Sequence, residues 1–553
     1  MKYLSAQKKW NGWGLKGKSY PTENLRSDFY NLLQNLLEIK HMEIRIPAKK
    51  EDFKIPASIF SQAEIKEFQS IVTKNRFTIE NDVRLMHARG RSFPDLLALR
   101  RGSIDTFPDA VIYPVSESEV SAVLALAARK KIAVIPYGGG SSVVGGINAL
   151  KLKSQKGILV VNMERMNRQI SMDHFSMSTT FECGISGPDL EAILNKQGYT
   201  IGHFPQSFEF STLGGWIAAR GSGYFSGVYG KAEDMLLSCS VIAPNGKIET
   251  ENFPASSQGP CLNQIIAGSE GTLGIITQAT LKIHKKEHNL VYKALLFPDY
   301  PAALAALRRF KQSGVTLHMA RLSDPEETNY FSMMSKSSGN KKARLISFLQ
   351  NSILRFSGYK QPSVMLTVGG PDQYKKIKAL QKTSGKSKML KYLSLGKKPV
   401  ADWFLNRYEF PYLRDELLDH GIGAETFETS MTWSNLEKLR SEIYKTVEKL
   451  QKTDGLKCIL MSHISHSYKT GAAIYFTILY RLADNPLEQW KIIKKNVTDT
   501  IVKHKGSLSH HHGIGADHRP WLIDKMGKTE YELLQSIKKQ LDPSTIMNPG
   551  KLF

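Results

Sequence analysis

The sequence predicts an α+β architecture of several domains, and three observations carry the prediction. Strand and helix alternate from residue 108 and break into glycine-rich loops. A middle stretch, 286–500, alternates strand-like and helical segments with a different texture. Helical segments occupy both ends. At 553 residues the chain has room for about two to four domains with full cores. With 41% hydrophobic and 23% charged residues it belongs with folded chains, not disordered ones.

The elements follow in order. Trp10 and Trp13, spaced by glycines in the run Lys9–Gly14, predict an N-terminal arm anchored by tryptophan burial. Leu25, Phe29, Leu32, Leu33, Leu36 and Leu37 recur at helical spacing and predict an amphipathic helix over 22–40. Residues 109–113 read as a strand, and Ser116-x-x-Glu119 as a capping box opening a helix to Lys130. The β-branched run 132–137 is a buried strand that breaks into Gly138-Gly139-Gly140-Ser141-Ser142, and 157–162 is the next strand. Three glycines lack the Cβ atoms that hold a ligand off the backbone, and successive N–H groups in such a turn make a concavity for an anion. The spacing is neither the G-x-G-x-x-G nor the P-loop pattern. Two more small-residue districts, 204–230 and 268–275, suggest one long ligand contacted from several sides, which suits a dinucleotide.

Further on, 290–297, 302–312 and 363–368 read as strand, helix and strand of a separate α+β domain lying over that ligand. A basic loop, 335–342, leads into 343–356, where Leu345, Phe348, Leu349, Ile353 and Phe356 share a helical face flanked by Lys341, Lys342, Arg344 and Arg355. Two readings stay open for it, a packed surface helix or an interfacial helix on anionic lipid. Near the end stand three adjacent histidines, His510, His511 and His512, before Gly513-Ile514-Gly515. They lack further ligands at metal-site spacing, so a histidine-lined catalytic pocket is expected and no metal.

Charge narrows the partners. Lys+Arg number 75 against 51 Asp+Glu, a formal charge of +24. That predicts an anionic partner: a lipid surface, a phosphorylated substrate or nucleic acid. Nucleic acid is set aside, since no zinc-finger spacing, RNP motif or basic-region heptad occurs. Cys183, Cys239, Cys261 and Cys458 are scattered and read as reduced core residues of a cytosolic-type compartment. No apolar run reaches the roughly 18 residues of a membrane span. The N-terminus lacks a secretory apolar core, and Lys-Leu-Phe is no peroxisomal address.

Together these motifs resemble the FAD enzymes of the vanillyl-alcohol oxidase type, and within them the alkylglycerone-phosphate synthases. The resemblance runs through KWNGWG (9–14), PYGGGSS (136–142), QSFEFSTLGGW (206–216), ARGS (219–222) and EGTLGII (270–276). It continues in ARLSD (320–324), YLRD (412–415), AETFETSMTW (424–433) and SLSHHHGIG (507–515). It implies a PCMH-type FAD-binding domain of two α+β subdomains over 101–285, an α+β cap over 286–500, a helical N-terminal segment over 1–100, and a C-terminal segment, 501–553, returning to the flavin. It places FAD against Pro136, Tyr137, Gly138, Gly139, Gly140, Ser141 and Ser142, and against Gln206, Ser207, Phe208, Glu209, Phe210, Ser211 and Thr212. Ala219, Arg220, Gly221 and Ser222 belong there too, with Glu270, Gly271, Thr272, Leu273, Gly274, Ile275 and Ile276. Arg414 matches an arginine that holds the substrate phosphate, the alternative being an ion pair with Asp415. Arg321 matches an arginine needed for activity, Tyr475 the catalytic tyrosine, His510–His512 the essential histidines, and 549–553 the segment that closes on the site.

The activity implied is exchange of the acyl chain of acyl-dihydroxyacetone phosphate for a fatty alcohol, forming an ether without net redox. The expected setting is cytoplasmic and peripheral on an anionic membrane, with a homodimer as an open assembly. Two features depart from the pattern. The interval from Tyr475 to His510 is short, and His463-Ile464-Ser465-His466 resembles the wider flavin oxidases and dehydrogenases. They keep an FAD-dependent 2-hydroxy-acid dehydrogenase open as the alternative.

Overall fold

The computed structural model describes residues 4–20, 27–42, 44–336, 359, 361–383 and 391–553. Three sheets carry the architecture, which is α+β. The first has four strands in the order Phe77–Thr78, Ala110–Ile112, Ile158–Asn162, Ala133–Tyr137. Its last three strands run parallel and its first antiparallel. Helix Glu117–Lys130 makes the crossover between Ala110–Ile112 and Ala133–Tyr137. Strand Ile158–Asn162 is buried at every position, as a parallel strand covered on both faces must be. The second sheet is antiparallel, in the order Gln169–Asp173, Ser178–Glu182, Ile275–Lys282, Leu236–Ala243, Gly246–Glu249.

The third sheet has seven antiparallel strands: Leu393–Gly396, Val291–Phe297, Ser363–Gly369, Met319–Ser323, Cys458–Ser467, Gly471–Arg481 and Ile422–Thr432 in spatial order. Helices Tyr300–Gln312, Trp433–Thr453 and Pro486–Lys503 pack on one face. In Trp433–Thr453 the buried residues Leu436, Leu439, Ile443, Val447 and Leu450 recur every three or four positions, the spacing of one helical stripe. Against them Gly471–Arg481 presents Ile474, Phe476, Ile478 and Tyr480. Burying each such side chain contributes about 1.5–3 kcal/mol. Because side chains alternate, Tyr475, Thr477 and Leu479 must face the other way. That second face is the roof of a cavity.

Several sequence expectations need correction in detail. The helix expected over 22–40 is described as Ser27–Leu36, with Phe29, Leu33 and Leu37 buried and Leu36 exposed. Glu38, at φ 51°, marks the chain's turn away from helical geometry. The capping box at Ser116 is half made: Ser116 caps the Glu119 N–H, but the Glu119 carboxylate accepts from Arg76 Nη1 and Nη2 and from the Val115 N–H. A guanidinium is the stronger donor and wins. Of the loop expected over 335–342, Ser335 and Lys336 belong to helix Pro325–Lys336, and 337–342 lie outside the described residues. The helix expected over 343–356 lies outside the described residues. The four cysteines are free thiols, three buried and Cys261 exposed. No described helix is long and apolar enough to cross a membrane.

Candidate active site

A cavity of about 490 Å³ lies between the inner face of the seven-stranded sheet and the glycine loops. Residues 136–142 form its floor with Gln206, Ser207, Ser211 and Thr212, Ala219, Gly221 and Ser222, and Glu270, Gly271, Gly274, Ile275 and Ile276. Six other residues expected at FAD brace these loops without lining the cavity. Phe210 is buried edge-on to Trp13, and Phe208 stacks on Tyr408. Glu209 accepts from the Tyr412 hydroxyl at 3.0 Å, and Arg220 donates to the carbonyls of Ala267 and Gln264. Thr272 donates to the Ser269 carbonyl, and Leu273 is buried.

The floor is built to receive an anion. A Cβ on Gly139 would overlap the Phe210 carbonyl, so the close approach of the 136–142 and 206–212 loops requires glycine there. None of the backbone N–H groups of residues 139–143 donates to a described protein group. Thr212 Oγ1 and Ser222 Oγ are buried with no partner among the described residues. Such groups cost free energy unless a ligand satisfies them. Lys8, 2% exposed, donates to the Gly139 carbonyl at 2.8 Å and puts a cation under the loop. The sequence reading missed Lys8, one of two adjacent lysines in a basic N-terminus. Open N–H groups, orphan hydroxyls and a buried cation along one extended wall fit a pyrophosphate-linked dinucleotide.

In the roof, strand register aligns Glu428, Tyr475, His463 and Ser323 in one row across four strands. Tyr475 stacks on His463 with ring centroids 5.0 Å apart and meets His512 edge-on at 5.5 Å. Burial above all pushes its phenol up to about 12, with Thr426 and Arg414 pulling the other way. Toward the far end the same face turns apolar: Met461 and Thr477, then Leu479 and Ala424, with Leu413, Leu417, Tyr330 and Phe331 beside them. Arg321 donates to Ser323 Oγ at 2.7 Å and Glu327 Oε1 at 2.8 Å.

The histidine triplet is held by one carboxylate that the sequence reading did not single out. Glu428 accepts from the backbone N–H groups of His510, His511 and His512 at 2.7, 3.1 and 3.0 Å, and from Ser509 Oγ at 2.5 Å. His511 Nδ1 lies 3.4 Å from it. Burial alone would raise this carboxyl, but the histidines, His511 foremost, hold it well below the usual range. The tight turn splays the rings. His511 and His512 line the cavity, whereas His510 does not and turns its Nε2 to the Tyr468 hydroxyl at 2.5 Å. His466 approaches from the roof, so nitrogens of His466, His510 and His511 come within 4.8 Å of one another. The sequence offered no such grouping because His466 is 44 positions away. Those nitrogens are engaged: His466 Nε2 with the Gly223 carbonyl, and His510 Nδ1 with His511 Nδ1 at 3.0 Å. Burial pushes His466 and His512 down to about 3, and His510 lower still, so these rings are neutral near pH 7.

Segments near both chain ends brace this site. Arg414, in the first turn of Leu413–Asp419, lines the cavity and donates to the Arg91 carbonyl at 3.2 Å. It does not pair with Asp415, which accepts from the Trp13 N–H at 3.0 Å and Lys9 Nζ at 3.3 Å and so pins the N-terminal arm. Residues 549–553 do not line the cavity. The C-terminal segment braces the floor from outside, with Val134 and Met547 bridged and Asn548 Nδ2 donating to the carbonyls of Gly146 and Glu270. Glu270 accepts from the N–H groups of Ile514 and Gly515 at 2.6 and 2.7 Å. Burial pushes its carboxyl up to about 7 and pulls Lys551 down to about 7.

Fold and site together define an FAD-dependent enzyme of the FAD-linked oxidase type. Residues 108–251 match the FAD binding domain family and 286–552 the family of FAD linked oxidases, C-terminal domain. Alkyldihydroxyacetonephosphate synthase of Dictyostelium discoideum is 34% identical over 94% of this chain and 83% of its own length. The Trypanosoma brucei brucei protein of that name is 32% identical over 99% and 92%. A solved structure of alkyldihydroxyacetonephosphate synthase superposes with a TM-score of 0.82 at 30% identity, covering 99% of each chain. The chain belongs to the alkyldihydroxyacetonephosphate synthase family.

Proposed function

We propose that the protein replaces the acyl chain of a 1-acyl-dihydroxyacetone phosphate with a long-chain fatty alcohol, forming an ether bond, and that it works on an anionic membrane surface. One observation carries the reading. A single cavity joins an anion-receptive floor, a cluster of neutral imidazoles around a buried tyrosine, and an apolar far end. A phosphorylated head with a long hydrocarbon chain needs these three surroundings in contact.

Arg414 grips the substrate phosphate, because a guanidinium fork matches its oxygens. When bound, the FAD ring supplies a reactive centre at which C1 is substituted without net electron transfer. Tyr475 accepts the C1 proton. As the phenolate it takes that proton, and the rings of His512 and His511, at centroid distances of 5.5 and 6.3 Å, serve as the proton shuttle beside it. Arg321, fixed by Glu327 and Ser323, brings positive charge beside the departing fatty carboxylate. Purified protein given acyl-dihydroxyacetone phosphate and labelled hexadecanol should yield a labelled ether stable to alkaline hydrolysis. If it instead reduces a dye with a 2-hydroxy acid and makes no ether, the dehydrogenase reading replaces this one.

A further inference from the structure

A second imidazole enters the roof with no task in the chemistry above. His463 lines the cavity one strand over from Tyr475 and stacks on it at 5.0 Å and 21°. Its Nδ1 lies 2.9 Å from Glu327 Oε1, the oxygen that also accepts from Arg321 Nη2 at 2.8 Å. An ionised carboxylate only accepts, so Nδ1 carries the proton. Arg321 Nη2 also comes within 3.1 Å of that Nδ1; two donors facing each other make no bond, and the approach follows from both serving one carboxylate. Burial would raise the Glu327 carboxyl, yet Arg321 and His463 bring it down to about 2, so it is ionised throughout the working range. Glu327 is itself fixed, its N–H donating to Asp324 Oδ1 at 2.8 Å.

With Nδ1 protonated, the ring's lone pair is at Nε2. No described residue bonds to Nε2, and it is not among the atoms sealed in the protein interior. The next cavity-facing residues along the sheet are Met461 and Thr477, then Leu479 and Ala424. His463 therefore stands where the polar end of the roof meets the apolar end. An alkyl chain lying along the apolar end brings a terminal hydroxyl to this boundary. Burial and the neighbouring Arg321 both lower the ring's proton affinity, so it is neutral and able to accept near pH 7.

We propose that His463, oriented by Glu327, is the base that takes the hydroxyl proton of the incoming fatty alcohol, a role that rests on the synthase reading above. The alcohol O–H bond breaks and its proton goes to Nε2. The alcohol oxygen forms the new bond to C1, and the C1–O bond of the ester breaks with its electron pair leaving on the fatty carboxylate. The proton then passes to that carboxylate or to solvent, and nothing is oxidised or reduced. Tyr475 with His511 and His512 handles the C1 proton, and His463 handles the alcohol proton on the other side of the stacked pair.

A carboxylate entering as nucleophile has no proton to lose, whereas an alcohol does, and this separates the two roles. The test is the FAD-loaded His463→Asn variant, whose amide can still donate to Glu327 but has no base at the Nε2 position. Three rates are read: C1 proton exchange on the acyl substrate alone, uptake of labelled palmitate into that substrate, and formation of ether from labelled hexadecanol. The first two should stay within about threefold of wild type, while ether formation falls by about 10²–10⁴. Glu327→Gln, which can still accept from Nδ1 but no longer compensates an imidazolium, should also lose ether formation, and because Glu327 fixes Arg321 it should slow palmitate exchange as well, which His463→Asn should not. Ether formation at the wild-type rate in His463→Asn overturns the proposal. So does an equal loss of all three rates in both variants, including loss through misfolding. Wild type that makes no ether and exchanges no palmitate instead refutes the synthase reading, and the proposal falls with it.

Discussion

Glu428 organises the proposed chemistry without touching substrate. Its two oxygens collect three successive N–H groups and the Ser509 hydroxyl, a concentration of donors that only an ionised acceptor satisfies. Glu428→Gln would bring an amide NH₂ against those donors and let the turn open. Displacement of a reacting group by about 1 Å can cost on the order of 10²-fold in rate. C1 proton exchange should fall by that order with FAD content unchanged; an unchanged rate would show the turn holds itself. Arg414 answers to a different measurement. A charge-assisted bond to a phosphate contributes roughly 1.5–3 kcal/mol, so Arg414→Ala should weaken substrate binding by about 10- to 150-fold in titration, with a smaller effect on turnover. Residue chemistry was unevenly legible in the sequence. Tyr475 alone reads as a strand aromatic, and Glu428 as one of two acids in ETFETS. Their pairing depends on strand register, which periodicity does not reveal.

At the scale of elements, the seven-stranded sheet shows why the site is where it is. Ile474, Phe476 and Ile478 are held by the covering helices, so a one-residue slip would take Tyr475 out of the cavity. The runs 132–137, 157–162, 302–312 and 363–368 were legible because periodicity and turn residues agree there. The capping box at Ser116 was half legible because Arg76, 43 positions away from Glu119, competes for the carboxylate. The histidine interval that looked short is sufficient, since the triplet reaches the cavity from a turn pinned to strand Ile422–Thr432.

The C-terminal brace adds a pH dependence with two limbs. Glu270 is raised from 4.5 to about 7, so the stability linked to its proton is full below 4.5 and lost as pH rises toward 7. Lys551 is lowered from 10.5 to about 7, so its contribution is full above 10.5 and lost as pH falls toward 7. Docking of the tail should therefore be weakest near neutrality. Amide exchange of residues 546–551, corrected for intrinsic rates, should be fastest near pH 7. Glu270→Gln should flatten the acid limb alone, and a monotonic profile in wild type would refute the two-limbed dependence.

For the molecule as a whole, the charge of +24 on 553 residues is the feature that neither fold nor cavity explains. On the proposed membrane reading, sedimentation with anionic vesicles should drop steeply between about 0.01 and 0.1 M salt, as the screening length falls from about 30 to 10 Å. Equal binding to neutral vesicles would remove the electrostatic basis. The fold was legible once the glycine loops were read together, since three small-residue loops need one long ligand. The N-terminal arm was legible only as a tryptophan anchor, which Trp13 supplies, because its partners at Gly139 and Asp415 lie 131 and 402 positions further along the chain.

The central claim is substitution at C1 without net electron transfer, and the fate of the alcohol oxygen tests it most directly. With acyl-dihydroxyacetone phosphate and hexadecanol labelled with ¹⁸O, the ether oxygen should carry the label. The released fatty acid should carry none, at one acid per ether, with no reduction of an added dye. An unlabelled ether oxygen, or dye reduced in proportion to product, would contradict the account.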